Sequence, residues 1–178
     1  MTNTALSLFA DCPPQQVLDL GTGCGIIAIS LAMARPTWKI MGLDIQPHLI
    51  ELAKYNAELC SLKTEFQVAD LCTFTAETPY TLILSNPPWQ PLGRGKISPY
   101  PAKYISRFEV MCSMTDILSF LKRNLAIEGD ALLLYPAFRI PELQALISKS
   151  SLDIMDLIEC AGFRNHFICH IHYKGHKK

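Results

Sequence analysis

The 178-residue sequence lacks several features that would place it in common classes of protein. No apolar run approaches the roughly 18–20 residues of a membrane-spanning helix. The apolar patch at 5–10 follows no basic segment, which argues against a signal peptide. Internal repeats and low-complexity tracts are also absent. We therefore predict a single domain over residues 1–178, with a frayed basic tail at 174–178 and no association with a membrane.

The seven cysteines include no Cys-x-x-Cys pair. An odd number of cysteines without paired spacing indicates buried free thiols in a reducing, cytoplasmic compartment. His170 and His172 would share one face of a strand because side chains alternate along a strand. No third ligand at a fixed spacing accompanies them, so we predict no metal site.

The sequence also lacks an excess of charge of either sign. Its 16 lysines and arginines balance 16 aspartates and glutamates, whereas nucleic-acid enzymes usually carry a basic surplus. A nucleic-acid enzyme of this composition must concentrate its positive charges locally or take them from a partner.

Short apolar runs alternate with helical patterns along the chain, an order that predicts βαβ units and a parallel sheet. A polar loop of roughly twenty residues runs from Gln90 to about Phe108, and loops of that length are usually functional or disordered. A turn is predicted at Glu128–Gly129. The predicted strands are 16–20, 39–43, 65–68, 80–84, 131–135, 153–159 and 167–173, and the predicted helices are 26–34, 47–60, 115–125 and 140–150.

A glycine-rich loop, Asp19-Leu-Gly-Thr-Gly-Cys-Gly25, follows the first predicted strand. Its glycines let the backbone turn sharply and approach a ligand. The leading acid would repel a pyrophosphate but attract a cationic group, so the loop differs from the dinucleotide fingerprint. Asp44 lies about twenty residues later, where a ribose-binding acid is expected, and Asp70 can accept from an adenine amino group beside Leu71. The alternative is a dinucleotide-binding protein whose acids only cap strand ends.

The fourth predicted strand ends in the turn Asn86-Pro87-Pro88-Trp89. The Asn86 side-chain oxygen and the Pro87 carbonyl can accept hydrogen bonds from an amino nitrogen and expose its delocalised lone pair. The prolines stiffen the turn, and Trp89 offers a flat face for stacking of a base. The alternative is a structural turn with a packing tryptophan, since Asn and Pro are ordinary turn residues.

Together, Val17–Gly25, Asp44, Asp70 and Asn86–Trp89 resemble the class I S-adenosylmethionine-dependent methyltransferases. The resemblance implies a Rossmann-like α/β fold, with a seven-stranded, mostly parallel sheet flanked by helices and an antiparallel last strand. It also implies S-adenosyl-L-methionine as cofactor and an amino nitrogen as methyl acceptor. The implied cofactor-binding residues are Asp19, Gly21, Thr22, Gly23, Gly25, Asp44, Ile45, Asp70, Leu71 and Asn86, and the implied catalytic residues are Asn86, Pro87, Pro88 and Trp89.

The segment after the turn resembles the bacterial methyltransferases that modify adenine-37 N6 in valine tRNA. Similar features are the glycine-basic-Ser-Pro loop at 93–99, the stretch 105–109 and the helix from Thr115. Trp89 stands where that family usually has tyrosine, and Phe108 where histidine is usual. The first residues resemble the end of the family's N-terminal helix, so a preceding lid segment is expected to be missing.

The resemblance makes methylation of adenine N6 in tRNA our first interpretation. Basic and aromatic residues interleave in the long loop, as suits single-stranded RNA. The alternative is a solvated surface loop with ordinary charges. The predicted RNA-binding residues are Trp89, Arg94, Lys96, Lys103 and Arg107.

Other acceptors stay open because the Asn-Pro-Pro motif also serves enzymes that methylate the glutamine amide of release factors or guanine N2 of ribosomal RNA. A further alternative is an inactive cofactor-binding subunit of a heteromeric enzyme, which the neutral charge and the abrupt start would suit.

Overall fold

A computed structural model describes residues 1–13, 15–90, 112–160, 162–163 and 165–175. Seven strands form one sheet in the order β3-β2-β1-β4-β5-β7-β6. The first five strands pair in parallel, whereas β7 lies antiparallel between β5 and β6. The predicted fold class is therefore confirmed. The strands are β1 Gln16–Leu20, β2 Lys39–Asp44, β3 Glu65–Val68, β4 Tyr80–Ser85, β5 Leu125–Pro136, β6 Leu152–Glu159 and β7 His166–Tyr173.

The helices begin where the sequence supplies suitable first-turn residues. Pro47 occupies the first turn of its helix, where its missing N–H costs nothing. Ser113 and Asp116 cap another helix reciprocally, the Ser113 N–H donating to Asp116 Oδ2 at 2.8 Å. The helices are α1 Thr2–Leu8, α2 Ile26–Ala34, α3 Pro47–Leu59, α4 Met114–Asn124 and α5 Ile140–Ile147, with a 3-10 turn at Ala137–Arg139 before α5.

The sheet is buried on both faces, which explains why its central strands read as continuous apolar runs. Leu18 and Ile83 pack on the face covered by α4 and α5. Their neighbours Val17 and Leu82 pack on the other face, with residues of α1, α2 and α3. No helix within the described ranges is both long and apolar enough to cross a membrane.

Two expectations are wrong in detail. Strand β5 starts at Leu125, not Ala131, and continues through the predicted turn at Glu128–Gly129. Glu128 has a φ of 61°, and the register between β4 and β5 shifts between Tyr80 and Leu82. Sheet pairing therefore absorbs the local turn signal as an irregularity. The cysteines are free, as predicted, but Cys12, Cys24, Cys60 and Cys72 are exposed, not buried.

Candidate active site

The order of the sheet places two loops side by side. Strands β1 and β4 are neighbours, and Leu20 at the end of β1 pairs with Ser85 at the end of β4. The Ser85 hydroxyl donates to the Leu20 carbonyl at 2.7 Å. The glycine-rich loop at 21–25 and the turn at 86–89 therefore leave the same edge of the sheet. Strand order reverses at this point, which is where open α/β sheets bind ligands.

The glycine-rich loop is fastened to the end of β2. The backbone N–H groups of Gly21 and Thr22 both donate to the Leu43 carbonyl at 2.8 Å. The Gly23 N–H donates to Asp44 Oδ2 at 2.9 Å, and the Gln46 N–H donates to Asp44 Oδ1 at 2.9 Å. Each Asp44 oxygen has a further lone pair, so the oriented carboxylate can accept two ribose hydroxyls.

Asp19 lies fully buried beneath this loop. Its Oδ2 accepts from the Thr22 hydroxyl at 2.7 Å and from the Ala28 N–H at 3.1 Å. Its Oδ1 has no hydrogen-bond partner among the described residues. Burial raises the pKa of Asp19 to about 6, although these two hydrogen bonds lower it. The nearby charge of Asp44 also raises it. Asp19 thus places a buried carboxylate, with one oxygen unpaired among the described residues, beneath the glycine-rich loop, where its ionised form would favour a positive charge nearby.

The three glycines of the loop have different surroundings. Gly21 and Gly23 have φ values of 73° and 56°, and a Cβ at either would meet nothing within 4 Å. A side chain there would therefore project into open space beside the loop. A Cβ at Gly25 would lie 3.1 Å from Ala53 and 3.1 Å from the Ile29 side chain. Gly25 thus allows close packing of α2, α3 and the loop.

A pocket of about 80 Å³ lies between the glycine-rich loop and the ends of β2 and β3. It brings together five of the predicted cofactor residues, namely Gly21, Asp44, Ile45, Asp70 and Leu71. The Cys72 N–H donates to Asp70 Oδ1 at 2.8 Å, which orients that carboxylate. Its apolar walls and two carboxylates supply the kinds of contact that an adenosine group makes, although 80 Å³ is smaller than a typical ligand pocket of about 300–1,000 Å³. Pro88, predicted as a catalytic residue, also lines the pocket, and four further lining residues were missed, namely Leu20, Leu43, Ala69 and Cys112.

A sequence signal existed for most of the missed residues. Leu20, Leu43 and Ala69 each lie one position before a predicted site residue. Because Pro88 lines the pocket, the turn at 86–89 borders it. Cys112 follows the long loop, and no local pattern points to it.

The turn after β4 presents a polar side chain on a rigid base. Asn86 is exposed, Pro87 is buried, and Pro88 and Trp89 are half-buried. Because both prolines have a fixed φ, few torsions are free between Ser85 and Trp89. Asn86 therefore presents an exposed carboxamide from the same stiff turn as Pro88, which lines the pocket.

Trp89 is held by residues that follow β5 and begin β7. The buried Arg139 donates from Nη1 to the Trp89 carbonyl at 2.7 Å. The Trp89 ring meets the rings of Phe138 and His166 edge-on, with centroids 6.1 and 5.7 Å apart. Part of the ring surface expected to stack on a base is thus engaged by neighbouring aromatic side chains. Sequence reasoning missed Arg139, Phe138 and His166 because they are distant in the chain.

The remaining predicted residues divide into a segment that the structure does not describe and a histidine pair on β7. Arg94, Lys96, Lys103 and Arg107 fall outside the described residues, as does Phe108. On β7, His170 Nε2 and His172 Nδ1 lie 2.8 and 3.0 Å from Asp130 Oδ1, which belongs to the neighbouring strand β5. Among the described residues, no group of three or more His, Cys, Asp or Glu is arranged to hold a metal ion.

Sequence comparison finds methyltransferases. The model of the methyltransferase small domain family matches residues 2–96, more than half of the chain. The release factor glutamine methyltransferase of Enterococcus faecalis is 37% identical over 76 residues, 43% of this chain and 27% of that protein. The enzyme of the same name from Escherichia coli is 32% identical over 131 residues, 68% of this chain and 46% of that protein. The chain thus spans less than half the length of these relatives.

Structural comparison identifies the same fold. The crystal structure of ribosomal protein L11 methylase from Lactobacillus delbrueckii subsp. bulgaricus superposes with a TM-score of 0.71 at 18% identity. The superposition covers 97% of this chain and 77% of that one.

Proposed function

Because this chain belongs to the methyltransferase small domain family, we propose that it transfers a methyl group from S-adenosylmethionine to a glutamine amide nitrogen in a protein. The observation that carries the proposal is the adjacency of the exposed Asn86 turn and the glycine-rich loop, both at the carboxyl edge of β1 and β4. The relatives named release factor glutamine methyltransferase support the acceptor.

The residues around the pocket fit S-adenosylmethionine. Asp44 presents two oriented oxygens for ribose, and Asp70 with Leu71 borders the space for adenine. Asp19 carries a buried carboxylate oxygen without a partner in the described chain, which suits a ligand with positive charge. When bound, the cofactor supplies a methyl group activated by a sulfonium.

The acceptor turn can activate an amide nitrogen. Such a nitrogen is a poor nucleophile because its lone pair is delocalised into the carbonyl group. Hydrogen bonds from its N–H groups to the Asn86 side-chain oxygen and the Pro87 carbonyl favour tetrahedral geometry and expose the lone pair. These acceptors contribute most as the nitrogen becomes tetrahedral, so their effect belongs to the transition state.

Three observations favour a protein over tRNA, our first interpretation of the sequence. The named relatives act on glutamine, and the formal net charge is zero, which gives no general attraction to phosphates. The Trp89 ring contacts Phe138, which is 60% exposed, and His166, whose ring in turn contacts Phe163, which is 70% exposed. Exposed aromatic rings beside the acceptor turn suit contacts with a protein surface.

The proposal is tested by incubating the chain with S-adenosylmethionine and a bacterial release factor, then locating the methyl group by fragment mass spectrometry. We expect one added methyl group on a glutamine side chain, and none on a release factor in which that glutamine is replaced by alanine. Asn86→Ala should lower kcat by roughly 10²–10³, the effect of losing one preorganised electrostatic partner. Its affinity for the cofactor should be nearly unchanged. Methylation of tRNA without methylation of the release factor would overturn the proposed acceptor.

A further inference from the structure

The acceptor turn is held by a buried arginine fifty positions further along the chain. Arg139 is 3% exposed, and its Nη1 donates to the Trp89 carbonyl at 2.7 Å. Its Nε lies 3.0 Å from Glu142 Oε2 as an ion pair. We propose that Arg139 is a positioning residue for methyl transfer, which fixes the Asn86–Trp89 turn in its reactive orientation. This inference rests on the proposed function.

The turn is anchored at both ends, and its middle is stiff. At one end, Ser85 is fixed by strand pairing and by its hydrogen bond to the Leu20 carbonyl. At the other end, Arg139 holds the Trp89 carbonyl. The two prolines between these anchors have fixed φ values. The anchors therefore determine where the Pro87 carbonyl points, and they restrict the backbone of Asn86.

Arg139 is itself well fixed. The guanidinium is planar, and its ion pair with Glu142 one helical turn ahead holds it at the start of α5. In the preceding 3-10 turn, the Ala137 N–H donates to the Asn165 carbonyl at 2.8 Å. This segment is thereby tied to the start of β7, whose His166 also contacts the Trp89 ring. A buried cation is costly unless it is paired, so its placement behind the turn suggests a specific role.

The kinetic test compares Arg139→Met and Arg139→Lys with the parent chain on the methylated acceptor. We expect Arg139→Met to lower kcat about 10²-fold, since a misplacement of about 1 Å costs a factor of that size. Cofactor affinity should stay within twofold. Arg139→Lys should recover part of the loss, because it keeps the charge but not the planar fork.

The control is Asn124→Ala, which removes a fully buried side chain that accepts from the Ala76 N–H at 2.7 Å, away from the turn. It should lower the melting temperature and leave kcat of the folded enzyme unchanged. Equal kcat for Arg139→Met and Asn124→Ala would overturn the positioning role.

A second readout does not depend on activity. The chain has two tryptophans, so Trp38→Phe leaves Trp89 as the only indole fluorophore. In that background, Arg139→Met should shift the emission of Trp89 and lower its anisotropy, whereas Asn124→Ala should do neither. Unchanged Trp89 emission with Arg139→Met would refute the inference even if no acceptor were methylated. Failure of the parent chain to methylate any glutamine would instead refute the proposed function.

Discussion

Asp19 is the residue whose protonation we expect to link folding to cofactor binding. Burial raises its pKa to about 6, so the folded chain favours the neutral acid more than the unfolded chain does. The resulting stabilisation is complete below the ordinary pKa of 3.8 and is lost as the pH rises through about 6. A cationic ligand is instead attracted by the ionised form of the Asp19 carboxyl group. Binding below about pH 6 must therefore release a proton.

We expect the affinity for S-adenosylmethionine to be constant between about pH 7 and 8 and to fall about tenfold per pH unit well below 6. Calorimetry across this range measures the effect. Asp19→Asn cannot ionise, so it should bind more weakly and without this pH dependence. Parental affinity that does not change between pH 5 and 8 would contradict the expected electrostatic effect of Asp19 on cofactor binding.

The placement of single residues was predictable from the sequence where it depends on local order. Asp19, Asp44 and Asp70 each end a predicted strand or start the loop after it, so parallel pairing brings them to one edge. Arg139 was not predictable, because its role depends on a hydrogen bond to a residue fifty positions away. An isolated arginine ahead of a helix otherwise suggests only a surface charge.

In the loop between β1 and α2, substitutions at Gly23 and Gly25 can be compared directly. The comparison separates an effect on ligand binding from an effect on packing. Both have positive φ, so alanine at either is strained by roughly 1–2 kcal/mol. Gly23→Ala adds a methyl group to open space and should also abolish cofactor binding. Gly25→Ala pushes a methyl group against Ala53 and Ile29 and should lose more stability.

Chemical denaturation and calorimetry on the two variants distinguish these effects. Gly23→Ala with parental cofactor affinity would show that the space beside Gly23 is not the cofactor site.

At the junction of β5 and β7, Asp130 pairs with two histidines. Burial alone would raise the pKa of Asp130, but hydrogen bonds from His170 and His172 outweigh it and lower the pKa. The hydrogen bond to Asp130 raises the pKa of His172. The protonated His172 therefore stabilises the folded state fully below its ordinary pKa of 6.5. This stabilisation is lost as the pH rises through the raised pKa. The ionised Asp130 stabilises the folded state above its ordinary pKa of 3.8. This stabilisation is lost as the pH falls through the lowered pKa.

Asp130→Asn should therefore lower the free energy of unfolding most between about pH 4 and 6.5, by roughly 1–3 kcal/mol, and less at pH 8. Urea denaturation at pH 5.5 and 8 measures the difference. The exposed Asp11→Asn serves as the matched control and should show little effect at either pH. A loss for Asp130→Asn that is equal at both pH values would exclude the charged pair.

Elements were predictable where local pattern and sheet pairing agree. The bounds of β1 and β3 match the predicted ones, since each is a short run bounded by turn or loop residues. The start of β5 was wrong because Glu128 and Gly129 signal a turn, yet Tyr80 already pairs with Leu125 ahead of them. Pairing between β4 and β5 therefore overrides the local preference for a turn. No pattern within the segment itself reveals that pairing.

For the whole molecule, charge bears most directly on the acceptor. A chain with no net charge has no general attraction to RNA, so a steep fall of RNA binding with salt would require a local cluster of basic residues. We expect kcat/KM on a protein acceptor to change by less than about threefold between about 50 and 200 mM salt, whereas tight RNA binding loses about 10³–10⁵ in affinity. A steep loss on the preferred acceptor would indicate phosphate contacts. The order of elements along the chain predicted the fold, whereas the turn motif left several acceptor classes open because it is common to all of them.

The most direct measurement is a competition between the two acceptors in one reaction. The intact chain is incubated with tritiated S-adenosylmethionine and equimolar release factor and total tRNA, and samples are then digested with protease or with ribonuclease. We predict that the label stays in macromolecular form after ribonuclease digestion. Protease digestion should release it as methylated glutamine. Label released by ribonuclease as methylated adenosine would contradict a protein-glutamine methyltransferase.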